Sequence, residues 1–209
     1  MSEAPGVLRA HSLAEIQLYF MLTPCPSCRR ATLRPVGEPA AVESDPPMAR
    51  LRASCHRCQR AFPSEFEIPR LEDGAATDPT MLINAGDEPS KLIDLSGWIT
   101  LYRMIVERSW GEPDRMTARR LAWEAGLCLD EALKFYPAGE NFPPDDAFFT
   151  AESLARYRQY RGQFDRRVVL DYRRRAPTLS ARELAASEPG GGAAHSRFWQ
   201  HHTRPPTGW

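Results

Sequence analysis

Residues 24–30 read PCPSCRR and residues 54–60 read SCHRCQR. These two C-x2-C pairs, Cys25 with Cys28 and Cys55 with Cys58, stand 26 residues apart, and their reading decides the fold. Two residues between cysteines allow a tight turn that aims both sulfurs at one point, leaving the following backbone amides free to hydrogen-bond them. Two such turns brought together place four thiolates at tetrahedral corners, about 2.3 Å from a zinc ion. The flanking segments suit that task. Thr32–Val36, Ala49–Ser54 and Ala61–Ile68 alternate in the manner of short strands, with Phe62, Phe66 and Ile68 as apolar members of the last. Pro39, Pro46 and Pro47 mark residues 37–47 as an exposed loop within the unit.

The pattern resembles a zinc ribbon, a rubredoxin-like domain, over residues 22–68. That resemblance implies a small unit of short antiparallel strands carrying one structural Zn2+ on Cys25, Cys28, Cys55 and Cys58. In one respect the chain departs from the pattern. The residue after each second cysteine is often Gly, because the knuckle favours positive φ there. Here it is Arg29 and Gln59, so a strained or differently turned knuckle is expected. Rubredoxins hold a redox iron on similar pairs, but residues 25–60 have seven Arg against three acids and lack the knuckle glycines, which favours zinc. A c-type haem needs C-x-x-C-H, which neither CPSCR nor CHRCQ supplies, and a thioredoxin-like dithiol comes as one pair in a βαβ setting. Four thiolates close the coordination shell, so the metal is expected to support the fold of a unit too small for a good core. Arg29, Arg30, Arg57 and Arg60 are placed to offset its net negative charge, and His56 is expected at a knuckle tip.

Outward from the ribbon, Ser12-Leu-Ala-Glu15 has capping-box spacing and begins a helix over Leu13–Leu22. Its apolar run, Ile16–Leu22, is far too short to span a bilayer, and positions 1–24 lack the layout of a signal peptide. A cytoplasmic protein is therefore expected, where thiols stay reduced. Residues 71–90, rich in Pro, Gly and Asp, read as a linker between an N-terminal unit (1–70) and a helical domain (91–177). Leu92, Leu95, Trp98, Ile99, Tyr102, Ile105 and Val106 form one helical stripe, closed by Gly111 and Pro113. Leu121, Ala125, Cys128, Leu129, Ala132 and Tyr136 form a second. A third helix is expected over Ala151–Arg161, capped by Thr150, and a fourth over Gln163–Arg175. Residues 178–209 read as a flexible, aromatic-containing tail. The fold class is thus α+β, a zinc ribbon followed by an all-α domain of four helices.

Functional signals beyond the cysteines are few. Nucleotide-binding, hydrolase and metalloprotease motifs are absent, and Cys128 lies on an apolar helix face, where it reads as a structural thiol. The net charge of zero hides an acidic middle, thirteen acids against seven bases over 76–150, and a basic end, eleven bases against five acids over 151–209. Eight arginines, Arg156, Arg158, Arg161, Arg166, Arg167, Arg173, Arg174 and Arg175, are interleaved with Tyr157, Tyr160, Phe164 and Tyr172. They could contact phosphates while the rings stack on bases, or they could pair with the acidic middle while the rings pack inward. Phe198, Trp199 and Trp209 in the tail are candidate docking anchors for a partner. HSLAEIQLYFMLTPCPSC and LCLDEALKFY also resemble proteins of high-GC bacteria, a likeness that implies no activity. The expectation is a non-catalytic adaptor or regulatory protein with a protein partner. Nucleic-acid binding through the basic helices is the alternative, and no membrane role is expected.

Overall fold

In the computed structural model, residues 7–30, 33–44, 48–69, 83–84, 86–180 and 182–183 are described. They form a mixed α+β structure. In chain order the regular elements are β1 (Val7–Arg9), α1 (Leu13–Leu22), β2 (Leu33–Val42), β3 (Met48–Cys55), β4 (Glu65–Pro69), α2 (Leu95–Gly111), α3 (Arg115–Leu133), α4 (Ala151–Gln159) and α5 (Arg166–Arg175). Among the described residues, no helix is long and apolar enough to cross a membrane.

The four strands form one sheet in the order β1-β4-β3-β2. It is antiparallel except at one edge, where β1 pairs parallel with β4, so the expectation of purely antiparallel strands needs correcting. The period of two sorts its faces. Leu8, Phe66 and Leu51 lie in one cross-strand row facing α1, while Arg9, Glu67 and Arg50 form the adjoining row on the outer face. There Arg50 pairs with Glu67, which also meets Arg9 at 3.6 Å. Residues 37–47 were expected to loop out, but β2 continues to Val42. Its register with β3 shifts between Val36 and Ala40, and Gly37 takes φ +71° there, so the chain bulges and then re-pairs.

Helix α1 has the expected bounds. The Ser12 hydroxyl accepts from the Glu15 amide at 3.2 Å, and the Glu15 carboxylate reaches back to the backbone N–H of His11. Its Tyr19 and Phe20 meet Phe62 and Phe66 in an aromatic cluster, with Phe20 and Phe66 edge-to-face at 5.3 Å. Helix α2 begins at Leu95, three residues after the stripe does. The reason is local: the Ser90 hydroxyl accepts the Leu92 and Ile93 amides, and Asp94 caps Gly97. Ile83 and Ser90 are buried, at 7% and 2% exposure. Thr150 caps α4 in a reciprocal box with Ser153. A 3-10 turn over Arg161–Phe164 intervenes before α5, which Asp165 caps, so the last helix starts later than the expected Gln163. One continuous apolar core runs from Ile16, Leu51 and Phe66 to Trp98, Leu129 and Phe164. Gly97 lets α2 pack closely on the end of α1: a Cβ there would lie 3.0 Å from Leu22 Cδ1, and 2.8 Å from Cγ2 of Ile93 just before α2.

Candidate metal centre

The four cysteines converge from two turns of the same build. In the first, the Cys25 N–H donates to the Arg30 carbonyl at 2.8 Å and the Arg29 N–H to the Cys25 carbonyl at 2.8 Å. In the second, Cys55 donates to Arg60 and Gln59 to Cys55, both at 2.9 Å. The two turns share the C-x2-C spacing and are closed by the same pair of backbone bonds. Cys55 ends β3 beside Leu33 of β2, and Phe62 N–H bonds back to the Ala53 carbonyl at 2.8 Å, which fixes the second turn on the sheet. The first turn is fixed by α1, whose last turn ends at Thr23.

The residue after each second cysteine is in the left-handed region: φ is 58° at Arg29 and 60° at Gln59. The missing glycines therefore leave the knuckle conformation unchanged, and the chain bears the steric cost of a Cβ at both positions. Of the two expected alternatives, a strained knuckle or a different turn, the strained knuckle is present.

Sulfur spacing tests whether a metal fits. A tetrahedron with zinc–sulfur bonds of about 2.3 Å has sulfur–sulfur edges of about 3.8 Å. Cys25 and Cys58 Sγ are 3.7 Å apart, Cys28 and Cys55 Sγ are 3.6 Å apart, and all four lie within 4.8 Å of one another. Among the described residues this is the only group of three or more His, Cys, Asp or Glu side chains so placed. The Cys58 backbone N–H also points at Cys55 Sγ, 3.4 Å away, the amide support a thiolate uses. Cys25 and Cys55 are buried, and Cys28 and Cys58 are half-buried. The set fits a divalent ion that takes four thiolates.

The protonation chemistry agrees. The Cys28 backbone N–H holds the Cys25 thiol below its ordinary value. Cys58 moves the other way: although the Arg60 backbone N–H favours its thiolate, burial and the Cys55 and Cys25 sulfurs push it up to about 11. Four crowded sulfurs cannot all ionise without a cation, so binding a metal must displace protons. Arg29, Arg30, Arg57 and Arg60 are exposed around the two turns, and His56 is exposed at a knuckle tip.

The basic end is arranged differently. Arg158 pairs with Asp145 at 2.7 Å, Arg167 with Asp165 at 2.6 Å, Arg173 with Asp130 at 2.6 Å and Arg175 with Asp171 at 2.7 Å. Arg156 donates to the Thr100 hydroxyl at 3.2 Å, Arg161 lies 4.4 Å over the Phe142 ring, and the Arg166 backbone N–H donates to Asn141. Arg174 is exposed on the last turn of α5. Of the interleaved rings, Tyr157 and Phe164 are buried, and Tyr172 stacks on Tyr102 at 5.5 Å. Cys128 is buried on α3, and desolvation pushes its thiol well above the ordinary range, as a structural role requires. Phe198, Trp199 and Trp209 lie outside the described residues.

Two features escaped sequence reasoning. Trp110 is 79% exposed at the end of α2. No sequence signal marked this, since Trp110 continues the four-residue spacing of Trp98, Tyr102 and Val106. Glu15, Glu131 and Lys134 gather in the interior, with Glu131 and Lys134 joined at 2.8 Å. A hint lay in spacing, because Glu124, Cys128, Glu131 and Phe135 follow one another along a buried helix face. Comparison with family models, with curated proteins and with solved structures gave no match.

Proposed function

We propose that the chain is a non-catalytic zinc-ribbon adaptor, in which a structural zinc ion on Cys25, Cys28, Cys55 and Cys58 fixes one module and the helical domain presents a surface to a protein partner. The observation that carries this reading is the convergence of four sulfurs, two pairs at 3.6 and 3.7 Å and all within 4.8 Å of one another, since an ion held by four thiolates keeps no position for water or substrate. Such an ion stabilises structure and leaves the chemistry of the solvent untouched.

A protein partner is favoured over nucleic acid by charge and exposure together. Four of the eight basic-end arginines carry carboxylate partners at 2.6–2.7 Å, and two of the four interleaved rings are buried. Trp110, by contrast, offers a large apolar side chain to solvent, the residue type most enriched at interface hot spots.

Two measurements test the reading. Fluorescence anisotropy with duplex DNA, single-stranded DNA and RNA at about 50 and 200 mM salt should give no micromolar binding at either. Binding that is tight at low salt and collapses at high salt would transfer the role to nucleic acid. Affinity capture should recover a partner with the wild type and with Arg158→Ala, and lose it with Trp110→Ala. Retention by the tryptophan variant would remove that surface from the account.

A further inference from the structure

An ionised carboxylate withdrawn from water is costly unless opposite charge or hydrogen bonds meet it. Two carboxylates test that rule where α1 meets the helical domain. Glu15 of α1 is fully buried, and Glu131 of α3 is 4% exposed. Glu15 Oε2 accepts the His11 backbone N–H, but Oε1 has no hydrogen-bond partner among the described residues. Glu131 Oε1 accepts from Lys134 Nζ at 2.8 Å, and its Oε2 is likewise unpartnered. Lys134 also donates to the Asn84 carbonyl at 3.1 Å. The titratable side chains acting on the pair are Lys134 from α3 and His11 from the turn before α1. Ser90 and Asn84, on the segment entering α2, turn polar side-chain groups toward Glu15 and Glu131 and favour the ionised carboxylates. Beside this cluster the Ser12 hydroxyl donates to the Ile83 carbonyl at 2.7 Å, a second tie between the same two parts.

We propose that Glu15, Glu131 and Lys134 form a proton-loaded latch that fastens the ribbon module to the helical domain, the two carboxylates holding one proton between them. With both ionised, one ammonium faces two negative charges in a dry site. A single proton brings the trio to neutrality and turns a carboxylate oxygen into a donor. Losing that proton restores the repulsion across the junction and loosens α1.

The direction of titration agrees. Desolvation pushes Glu15 above the ordinary carboxylate range, against the opposing pull of Ser90, His11 and Lys134. Desolvation also pushes Glu131 up to about 7; Lys134 opposes the shift and the Glu15 charge adds to it. The sign follows from linkage. The folded form keeps a proton that the unfolded chain releases near 4.5, so the latch's contribution falls as pH rises from there and is gone above about 7.

The test uses the full, zinc-loaded chain. Side-chain carboxyl carbons of glutamate are followed by 13C NMR from pH 4 to pH 9. One resonance should titrate near 7, vanish in Glu131→Gln and move toward lower pH in Glu15→Gln, which removes the neighbouring charge. Hydrogen exchange then reads the latch itself. After correction for intrinsic rates, α1 protection should fall at least tenfold more than α2 protection between pH 6 and pH 8. In Glu131→Gln that difference should disappear. A Glu131 carboxyl titrating in the ordinary range, or α1 protection that follows α2 at every pH, overturns the proposal. The wild-type titration decides the first point even if neither variant folds.

Discussion

Replacing Arg29 or Gln59 by glycine removes a Cβ from a backbone position with φ near 60°. The left-handed conformation costs a non-glycine residue about 1–2 kcal/mol. Glycine is in turn more disordered in the unfolded chain, which takes back about 0.4–1 kcal/mol. Arg29→Gly should therefore stabilise the zinc-loaded protein by about 0.5–1 kcal/mol. Gln59→Gly should gain less, because the Gln59 side-chain amide donates to the His56 carbonyl at 2.7 Å and the variant loses that exposed bond. An exposed hydrogen bond contributes about 0.5 kcal/mol, at the low end of the net range, so the second variant should lie between neutral and half the gain of the first. Urea denaturation at constant zinc, followed by far-ultraviolet circular dichroism, measures both. Because the two knuckles are separate, the double variant should give the sum within about 0.5 kcal/mol. The reasoning fails if Arg29→Gly is destabilising by more than about 0.5 kcal/mol. That result would mean the Arg29 side chain contributes more than its backbone strain costs.

Three further outcomes follow from the packing and the site. Gly97→Ala should destabilise by about 1 kcal/mol, because overpacking against Leu22 and Ile93 (about 1–3 kcal/mol) exceeds a helix-propensity gain of at most about 1 kcal/mol; a more stable variant in the same urea assay would contradict the close α1–α2 approach. Cys128→Ala should cost about 1–2 kcal/mol yet keep one zinc per chain, whereas Cys28→Ser should lose the metal and the ribbon's sheet signal; metal analysis and circular dichroism separate the two, and zinc loss in the Cys128 variant would refute the assignment. Zinc affinity should rise with pH, since the Cys58 thiol at about 11 must surrender its proton. Each proton released to form the thiolate shell changes affinity about tenfold per pH unit, which competition with a chelator from pH 6 to pH 8 would read.

What the sequence disclosed depended on how local the determining physics was. The knuckles were legible because the spacing within each C-x2-C pair fixes a turn, and the turn aims the sulfurs without help from distant residues. Helix α1 was legible to the residue from Ser12 and its apolar run, and α4 from Thr150. The onset of α2 was displaced because Ser90 takes the Leu92 and Ile93 amides first, a competition between side chain and helix that a stripe of apolar residues cannot reveal. The continuation of β2 depended on a bulge at Gly37 re-pairing with β3, and β1 depended on pairing with a strand nearly sixty residues away. Both are long-range choices with weak local signals. The basic end allowed two readings because composition does not say which arginine meets which carboxylate. Asp130 reaches Arg173 across 43 residues, and only the fold brings them together. The buried Glu15 and Glu131 were hidden for a similar reason: a glutamate near an apolar stripe looks solvent-exposed until a second element covers it.

The most direct test of the central claim is zinc K-edge X-ray absorption on the purified full-length chain, together with metal content by mass spectrometry. The account predicts one zinc per chain and a single shell of four sulfurs at about 2.3 Å, with no nitrogen or oxygen neighbour. A shell of three sulfurs with a lighter ligand would open the site to water and contradict a purely structural role. Iron in place of zinc would contradict the choice of metal.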